Sequence, residues 1–323
     1  MDRLEDSMKL SIIVPVYNLE NYVSRTLDSL LTIRFSHDYE IIVVNDGSTD
    51  RSEAVIAGYQ EKTDKIHLYS IENRGLPGAR NYGVSKAVGE YITYVDGDDT
   101  VNPDFFEKAV NELDSGGYDF VQGNFRLIYE DREGYWEYVD RDTVLSDRKE
   151  MLRRYLDVNG SPIGYGACGK VFQGDIVRRI PFNAALACSE DVQYTFDMLM
   201  LANRIKLLKD VSINYYQRET SIVHTMNVKK AFSKLEVIQH IRDENPYPEF
   251  TPFIDYRQLL SLQELYYCLC KEKDPRAKEV RREILRCPIR QLWPELDNTT
   301  RKRLLLHKFA GPLYDLYFRY LKK

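Results

Sequence analysis

The chain has 323 residues, of which 43% are hydrophobic and 29% charged, and its formal net charge is −5. These numbers indicate one large domain with an additional region. Residues 1–224 are acidic and residues 225–323 are basic. The acidic first part argues against nucleic-acid binding there, because contacts with phosphates need a basic surface. No run of about 18 apolar residues is present, so no membrane-spanning helix is predicted.

The five cysteines fit neither a disulfide framework nor a zinc site. Their number is odd, and Cys268 and Cys270 lie too close together in the sequence for a zinc knuckle. We therefore expect reduced, structural thiols at Cys168, Cys188, Cys268, Cys270 and Cys287. The first ten residues lack the apolar stretch of a signal peptide, so we expect a cytoplasmic protein.

Strands and amphipathic helices alternate along the first half of the chain, which predicts a mostly parallel sheet flanked by helices. The predicted strands span residues 9–16, 40–44, 65–71, 90–95 and 118–124, and the predicted helices span 19–31, 50–62, 76–87 and 103–113. A polar hairpin over 125–139 and a Gly- and Pro-rich loop with one short strand over 161–182 follow. The pattern after Asn227 is almost wholly helical. The sequence thus predicts an α/β domain over residues 1–224 and a C-terminal helical region over 225–323.

Two acidic segments each follow a predicted strand. They are Asn45-Asp46-Gly47-Ser48-Thr49-Asp50 and Asp96-Gly97-Asp98-Asp99. Ligands of open α/β sheets bind where the parallel strands end, so we expect both segments to form one site at this edge. Asp96 and Asp98 offer the hard oxygen ligands that Mg²⁺ or Mn²⁺ takes while bridging a diphosphate. The alternative is ordinary turn chemistry, which Asp-Gly pairs favour.

Two other nucleotide-binding classes fit the sequence less well. The glycine-rich loop of a dinucleotide-binding domain should follow the first strand, where this chain has Pro15-Val16-Tyr17-Asn18. A nucleotidyltransferase would also combine an α/β sheet with a divalent metal. It would need a glycine-rich loop with a lysine near the first strand, and none is present.

Five segments, in the same order along the chain, resemble the inverting glycosyltransferases of family 2, which have the Rossmann-like GT-A fold. The segments are residues 12–18, 45–50, 75–81, 96–99 and 190–191, and the resemblance covers residues 9–224. It implies transfer of a sugar from a nucleotide-sugar, commonly a UDP-sugar, to a saccharide or lipid-linked acceptor. The non-enzymatic alternative is an inactive homologue that serves as a scaffold in glycan assembly.

The resemblance also implies roles in donor binding. Pro15 and Tyr17 would line the uracil pocket, and Asp46 would accept a hydrogen bond from the N3–H group of the base. Arg80 would contact the base or the diphosphate. The alternative for Tyr17 is a packing role, and the alternative for Arg80 is a solvated position on a helix.

The same resemblance implies which residues bind the ribose and the metal. Asp96 would hold the ribose, and Asp98 would bind Mn²⁺ or Mg²⁺, which would bridge both phosphates. His224 lies in a segment where family members often carry a basic loop that closes over the diphosphate, and it is a candidate second metal ligand or phosphate contact. A lone histidine is also typical of a structural or exposed position.

Inversion at the anomeric carbon needs a general base that takes the proton of the acceptor hydroxyl. Asp191 matches the family's base, and Glu190 would position Asp191 or an acceptor hydroxyl. The alternative is that Ser189 caps a helix whose positive end Glu190 and Asp191 complement. Residues 167–172 resemble a segment beside the acceptor site, where many members have Trp in place of Cys168.

The end of the chain is basic and rich in aromatic residues. Residues 301–323 carry seven Lys and Arg against one acid, Asp315, with Leu, Phe and Tyr between them. This composition suits a pair of interfacial helices, bent at Gly311-Pro312, on an anionic membrane surface. The alternative is packing on the catalytic domain or on a second subunit of a homo-oligomer.

Overall fold

The structure, a computed structural model, describes residues 8–157, 161–217 and 226–288, together with residues 293, 298, 301, 302 and 305. The chain divides into two compact units. The first comprises Met1–Tyr155, Pro162–Ala185 and Glu190–Glu219, and the second comprises Leu156–Ser161, Leu186–Ser189 and Thr220–Lys323. The predicted domain boundary after residue 224 falls outside the described residues and stays a prediction.

The first unit is built on a sheet that has ten strands in the described part of the chain. The strands are β1 (Leu10–Val16), β2 (Tyr39–Asp46), β3 (Ile66–Ile71), β4 (Tyr91–Tyr94), β5 (Thr100–Val101), β6 (Phe120–Ile128), β7 (Glu133–Trp136), β8 (Thr143–Leu145), β9 (Lys170–Gln173) and β10 (Ile205–Tyr216). Their order in the sheet is β3-β2-β1-β4-β9-β6-β10-β5, with β7 beside β6 and β8 beside β10.

One antiparallel strand joins two groups of parallel strands. β1 pairs in parallel with β2 and β4, β2 with β3, and β6 with β10. Strand β9 lies between β4 and β6 and runs antiparallel to both. β1 and β2 are buried along their whole length, as expected of strands that are covered on both faces. The prediction of a mostly parallel sheet flanked by helices is confirmed.

Helices alternate with these strands. They are α1 (Val23–Leu31), α2 (Ser52–Gln60), α3 (Gly75–Lys86), α4 (Phe105–Gly116), α5 (Arg148–Leu156), α6 (Gly174–Val177) and α7 (Glu190–Leu201). Helix α1 forms because Val23, Thr26, Leu27 and Leu30 recur at helical spacing and bury one face. Helix α3 packs on β1 and β2, so its first turn lies near the ends of these strands.

Helix α1 begins later than its predicted start at residue 19, because side chains of the loop after β2 and of the first residue of α2 hold the preceding backbone. The Leu19 N–H donates to Ser52 Oγ at 2.8 Å. The Glu20 N–H donates to Asp50 Oδ2 at 3.0 Å. The loop after β2 thus fixes the turn that follows β1.

The described part of the second unit is helical, as predicted. It contains α8 (Val228–Glu244), α9 (Thr251–Lys271) and α10 (Ala277–Arg286), with a 3-10 helix over Pro248–Phe250. Its core buries Leu262, Leu269 and Cys270 of α9 together with Ile284 of α10. No helix among the described residues is both long enough and apolar enough to cross a membrane. Most of residues 301–323 lie outside the described residues, so the membrane and homo-oligomer alternatives for this tail stay predictions.

Candidate functional site

The acidic loop after β4 packs against the carboxyl end of β1. A Cβ atom at Gly97 would lie 2.9 Å from Leu19 Cδ1 and 3.0 Å from the Pro15 carbonyl oxygen. Only glycine allows so close an approach of the two segments. The loop therefore brings Asp96 and Asp98 to the sheet edge at which the sequence predicts the site.

Asp99 and Arg25 fix the position of the loop after β4. Asp99 is buried, and its Oδ1 accepts a hydrogen bond from the Tyr216 backbone N–H at 3.0 Å. Burial raises the pKa of Asp99 well above its usual value. Arg25 donates to the Asp98 carbonyl oxygen at 2.7 Å, and its Cζ lies 3.3 Å from the centroid of the Tyr216 ring. No motif in the sequence points to Arg25, which ties the loop to α1 and β10.

Arg80 of α3 connects the two ends of the candidate site. Its Nη2 donates to Asp96 Oδ1 at 2.9 Å, and its Nη1 donates to Glu190 Oε1 at 3.2 Å. The side chain is only 3% exposed, which excludes the alternative of a solvated helix face. Burial lowers the pKa of Arg80, but the surrounding acidic groups, Asp96 foremost, outweigh this and the net shift is upward. A permanent positive charge thus lies between carboxylates from two parts of the chain.

Glu190 and Asp191 form the first turn of α7, directly after Ser189, whose φ is 62°. Glu190 is buried against Arg80. Asp191 Oδ1 accepts a hydrogen bond from the Val192 N–H at 2.8 Å. Burial, together with the charge of Glu190, raises the pKa of Asp191 to about 6, although Arg80 opposes the shift. A carboxylate with this pKa is ionised at neutral pH and accepts a proton readily.

The residues predicted to bind the base lie at the carboxyl ends of β1 and β2, whose register pairs Val16 with Asn45, the residues directly before Tyr17 and Asp46. Pro15 is buried, whereas Tyr17 is 46% exposed. Asp46 is buried, and its Oδ1 accepts a hydrogen bond from the Arg74 N–H at 2.7 Å, just before α3. Burial raises the pKa of Asp46, and the hydrogen bonds from the backbone partly oppose this. An exposed aromatic ring and a carboxylate at the ends of neighbouring strands are suited to a planar base.

A buried lysine supports the loop that borders Asp191. Lys170 of β9 is 1% exposed, and its Nζ donates to the carbonyl oxygens of Gly164, at 2.8 Å, and Gly166. A Cβ atom at Gly166 would lie 3.8 Å from Asp191 Oδ2, so the loop and the carboxylate are in contact range. Burial lowers the pKa of Lys170 to about 7. A lysine directly before two apolar residues, Val171 and Phe172, is the one sequence feature that could have indicated this role.

We expect Lys170→Met to destabilise the fold, because two buried carbonyl groups would lose their donor at about 1–3 kcal/mol for each unsatisfied group. The difference between the parent and the variant in the free energy of unfolding should widen as the pH rises from 7 to 10.5. In this range the unfolded chain keeps a proton on Lys170 that the folded protein releases, so stability increases with pH in the parent and not in the variant. Urea unfolding at several pH values measures this difference. Lys278→Met, at an exposed lysine, is the control. A difference that is constant over this range contradicts the burial of a neutral amine at Lys170.

The structure thus gathers most of the predicted site residues at one edge of the sheet. Arg80, Asp96, Glu190 and Asp191 form one cluster, and Pro15, Tyr17 and Asp46 lie at the neighbouring strand ends. Asp98 is half-buried in the loop after β4. His224 lies outside the described residues.

The chain is similar to proteins of one family along most of its length. The sequence profile of "Glycosyl transferase family 2" matches residues 11–174. The uncharacterized glycosyltransferase EpsJ of Bacillus subtilis is 30% identical over 66% of this chain and 62% of its own length. The glycosyltransferase GlyA of Streptococcus pneumoniae is 36% identical over 79% of this chain and 37% of its own length. The chain therefore spans less than two thirds of either relative.

A solved structure, TarS 1-349 of S. aureus in complex with UDP-GlcNAc, has the same architecture. It matches with a TM-score of 0.64 at 19% identity and covers 88% of this chain and 89% of its own. A likeness at this identity establishes the fold, which is the predicted GT-A fold. Since the family profile covers residues 11–174 and the fold agrees with it, the chain belongs to glycosyl transferase family 2.

Proposed function

We propose that this chain is an inverting glycosyltransferase that moves a sugar from a UDP-sugar to a saccharide or lipid-linked acceptor in glycan synthesis. The Arg80 bridge supports this most directly, because it joins the loop after β4 to the first turn of α7. A donor-side carboxylate, Asp96, thereby lies in one cluster with Glu190 and Asp191. The description of GlyA as a glycosyltransferase and the UDP-GlcNAc bound to TarS support the same class of reaction.

In the proposed reaction, Asp191 takes the proton of the acceptor hydroxyl while its oxygen attacks the anomeric carbon. The bond from that carbon to the diphosphate oxygen breaks on the opposite side, and UDP leaves with the electron pair. Asp191 suits this role because its pKa of about 6 leaves it ionised at neutral pH. Glu190, held by Arg80, fixes the first turn of α7 and so positions Asp191.

The side chains available as metal ligands support a metal ion that is bound jointly by the protein and the substrate. Within the described ranges, no three His, Cys, Asp or Glu side chains are grouped closely enough to hold a metal ion by themselves. Mg²⁺ commonly binds through one or two carboxylates plus substrate phosphates, and Asp98 supplies a carboxylate of this kind. Mn²⁺ or Mg²⁺ bound there would neutralise charge on the leaving diphosphate. His224 stays a candidate second ligand.

We expect Asp98→Asn to weaken the Mn²⁺-dependent part of UDP binding, because a neutral amide replaces a charged oxygen ligand. Binding of UDP in the presence of a chelator should change less. Calorimetric titration with and without Mn²⁺ measures both affinities. Asp175→Asn, which removes a fully exposed carboxylate, is the matched control and should bind as the parent does. An unchanged Mn²⁺ dependence in Asp98→Asn would show that Asp98 is not the ligand.

The function itself can be tested with a panel of nucleotides and sugars. Thermal unfolding with UDP, GDP and nucleoside triphosphates, each with and without Mn²⁺, identifies the donor nucleotide, since a ligand that binds the folded state raises the melting temperature. Incubation with a set of UDP-sugars, followed by mass spectrometry of the products, then identifies the sugar. A preference for triphosphates would favour nucleotidyl transfer. No response to any nucleotide would contradict the proposal and favour a scaffold.

A further inference from the structure

The hairpin of β6 and β7 carries an exposed tryptophan. Trp136, the last residue of β7, is 50% exposed and stacks on Tyr138, with ring centroids 6.0 Å apart and ring planes at 23°. Tyr138 in turn packs edge-on against Phe125 of β6, at a centroid distance of 5.8 Å. Phe125 and Trp136 are opposite each other in register and so lie on the same face of the hairpin. The exposed half of Trp136 is left to solvent or to a ligand.

Hydrogen bonds to Asn124 fix the backbone that carries this ring pair. Asn124 Oδ1 accepts from the N–H groups of Tyr138, at 2.8 Å, and Val139, at 3.2 Å. Its Nδ2 donates to the Val139 carbonyl oxygen at 2.8 Å. Asn124 is itself buried. The aromatic surface is therefore ordered before a ligand arrives, which reduces the entropy lost on binding.

Tyr138 also touches the loop that borders Asp191. A Cβ atom at Gly164 would lie 2.8 Å from Tyr138 Cζ and 2.9 Å from its Oη. Lys170 holds Gly164 and Gly166 in place, and Gly166 lies next to Asp191. The pKa of Tyr138 is raised, mainly by burial and further by the charge of Asp191. The ring pair thus begins beside the proposed base and leads outward to Trp136.

The charge of the hairpin favours a neutral ligand. Residues 126–140 carry five acidic side chains against two basic ones, Arg126 and Arg132. These charges would repel an anionic lipid surface or a phosphate group. A sugar ring is neutral, packs its apolar C–H face on an aromatic ring, and offers hydroxyl groups that carboxylates accept.

Cys168, between Gly166 and β9, offers no aromatic ring to a ligand, because it is buried and lies with its Sγ 4.0 Å from Arg80 Nη2. On the basis of the transferase function above, we propose that Trp136 and Tyr138 form a subsite for the acceptor saccharide. Tyr138 lies on the side of the accepting sugar, and Trp136 stacks on the sugar next to it. The acceptor is therefore a glycan of more than one sugar.

Glycan binding by matched variants tests this subsite. An array of immobilised oligosaccharides is probed with the parent in the presence of UDP and Mn²⁺, and the affinity for the glycans that bind is measured by titration. Trp136→Ala should bind these glycans about tenfold or more weakly, and Trp136→Phe should retain most of the affinity. Tyr135→Ala is the control, because Tyr135 is 53% exposed but points to the opposite face of β7. UDP affinity should be the same in all four proteins.

Three outcomes would overturn the subsite. The first is equal glycan affinity of the parent and Trp136→Ala. The second is a parent that binds UDP but no glycan on the array. The third is sedimentation with anionic vesicles that Trp136→Ala loses, which would identify the hairpin as a lipid contact. Failure of the transferase function is distinguished by the UDP titration, since it would appear as a parent that does not bind UDP.

Discussion

Replacing Asp191 with Asn is expected to lower turnover by roughly 10²-fold or more and to leave donor affinity nearly unchanged. The reason is that a general base acts in the transition state, whereas the donor is bound before that step. Initial rates of UDP release and UDP titration measure the two quantities separately. Turnover of the parent should also fall as the pH decreases through about 6, where Asp191 becomes protonated, and the Asn variant should lack this dependence.

Two further variants test whether the effect belongs to Asp191. Asp175→Asn removes a fully exposed carboxylate and should keep the parent's turnover. Glu190→Gln removes a negative charge that raises the pKa of Asp191, so the fall in turnover should move to lower pH. Parent-like turnover of Asp191→Asn would exclude Asp191 as the base, and an unshifted pH profile of Glu190→Gln would exclude the coupling between the two carboxylates.

The central strands could be predicted because buried parallel strands are continuous apolar runs, and β1, β2 and β4 have this pattern. Strand β10 was missed because Lys206 and Asp210 interrupt its apolar residues. Helix α4 provides the partners of these charges. Lys206 pairs with Glu112 at 2.6 Å, and Asp210 pairs with Lys108. An ion pair between distant segments produces no pattern in the local sequence. The sequence of a strand stabilised in this way therefore resembles that of a loop.

The candidate site likewise contains residues that could be predicted from the sequence and residues that could not. Arg80 and Glu190 are 110 residues apart, and only the order of the family's motifs suggested that they would meet. Asp99 and Lys170 lie within segments that resemble the family, but like Arg25 they bond to backbone groups, and such contacts require no particular motif. Motifs therefore predicted the side chains proposed to contact substrate, while the residues that support those side chains became evident only in the tertiary structure.

Arg80 is the other position at which a single substitution should have a large effect. The guanidinium is planar and reaches Asp96 and Glu190 from two different nitrogens, which the single ammonium group of a lysine does not reproduce. Removing one partner of a buried ion pair costs about 3–5 kcal/mol, because the remaining charge is left in a poorly solvated place. Asp96 is 31% exposed and is partly stabilised by water, so we assign most of this cost to Glu190.

We expect Arg80→Met to lower the free energy of unfolding by about 3 kcal/mol at neutral pH and Arg80→Lys to lower it less. The loss should be larger at pH 8 than at pH 5. Arg80 lowers the pKa of Asp191, so its removal raises that pKa further; the folded state then binds more protons than the unfolded chain, and stability decreases as the pH rises. Urea unfolding at both pH values measures the effect, and if Arg80→Met does not fold, the milder Arg80→Lys still reports it. Parent-like stability of Arg80→Met at both pH values would mean that the bridge between the loop after β4 and α7 does not stabilise the fold, and parent-like stability of Arg80→Lys would mean that one ammonium group replaces both contacts of the guanidinium.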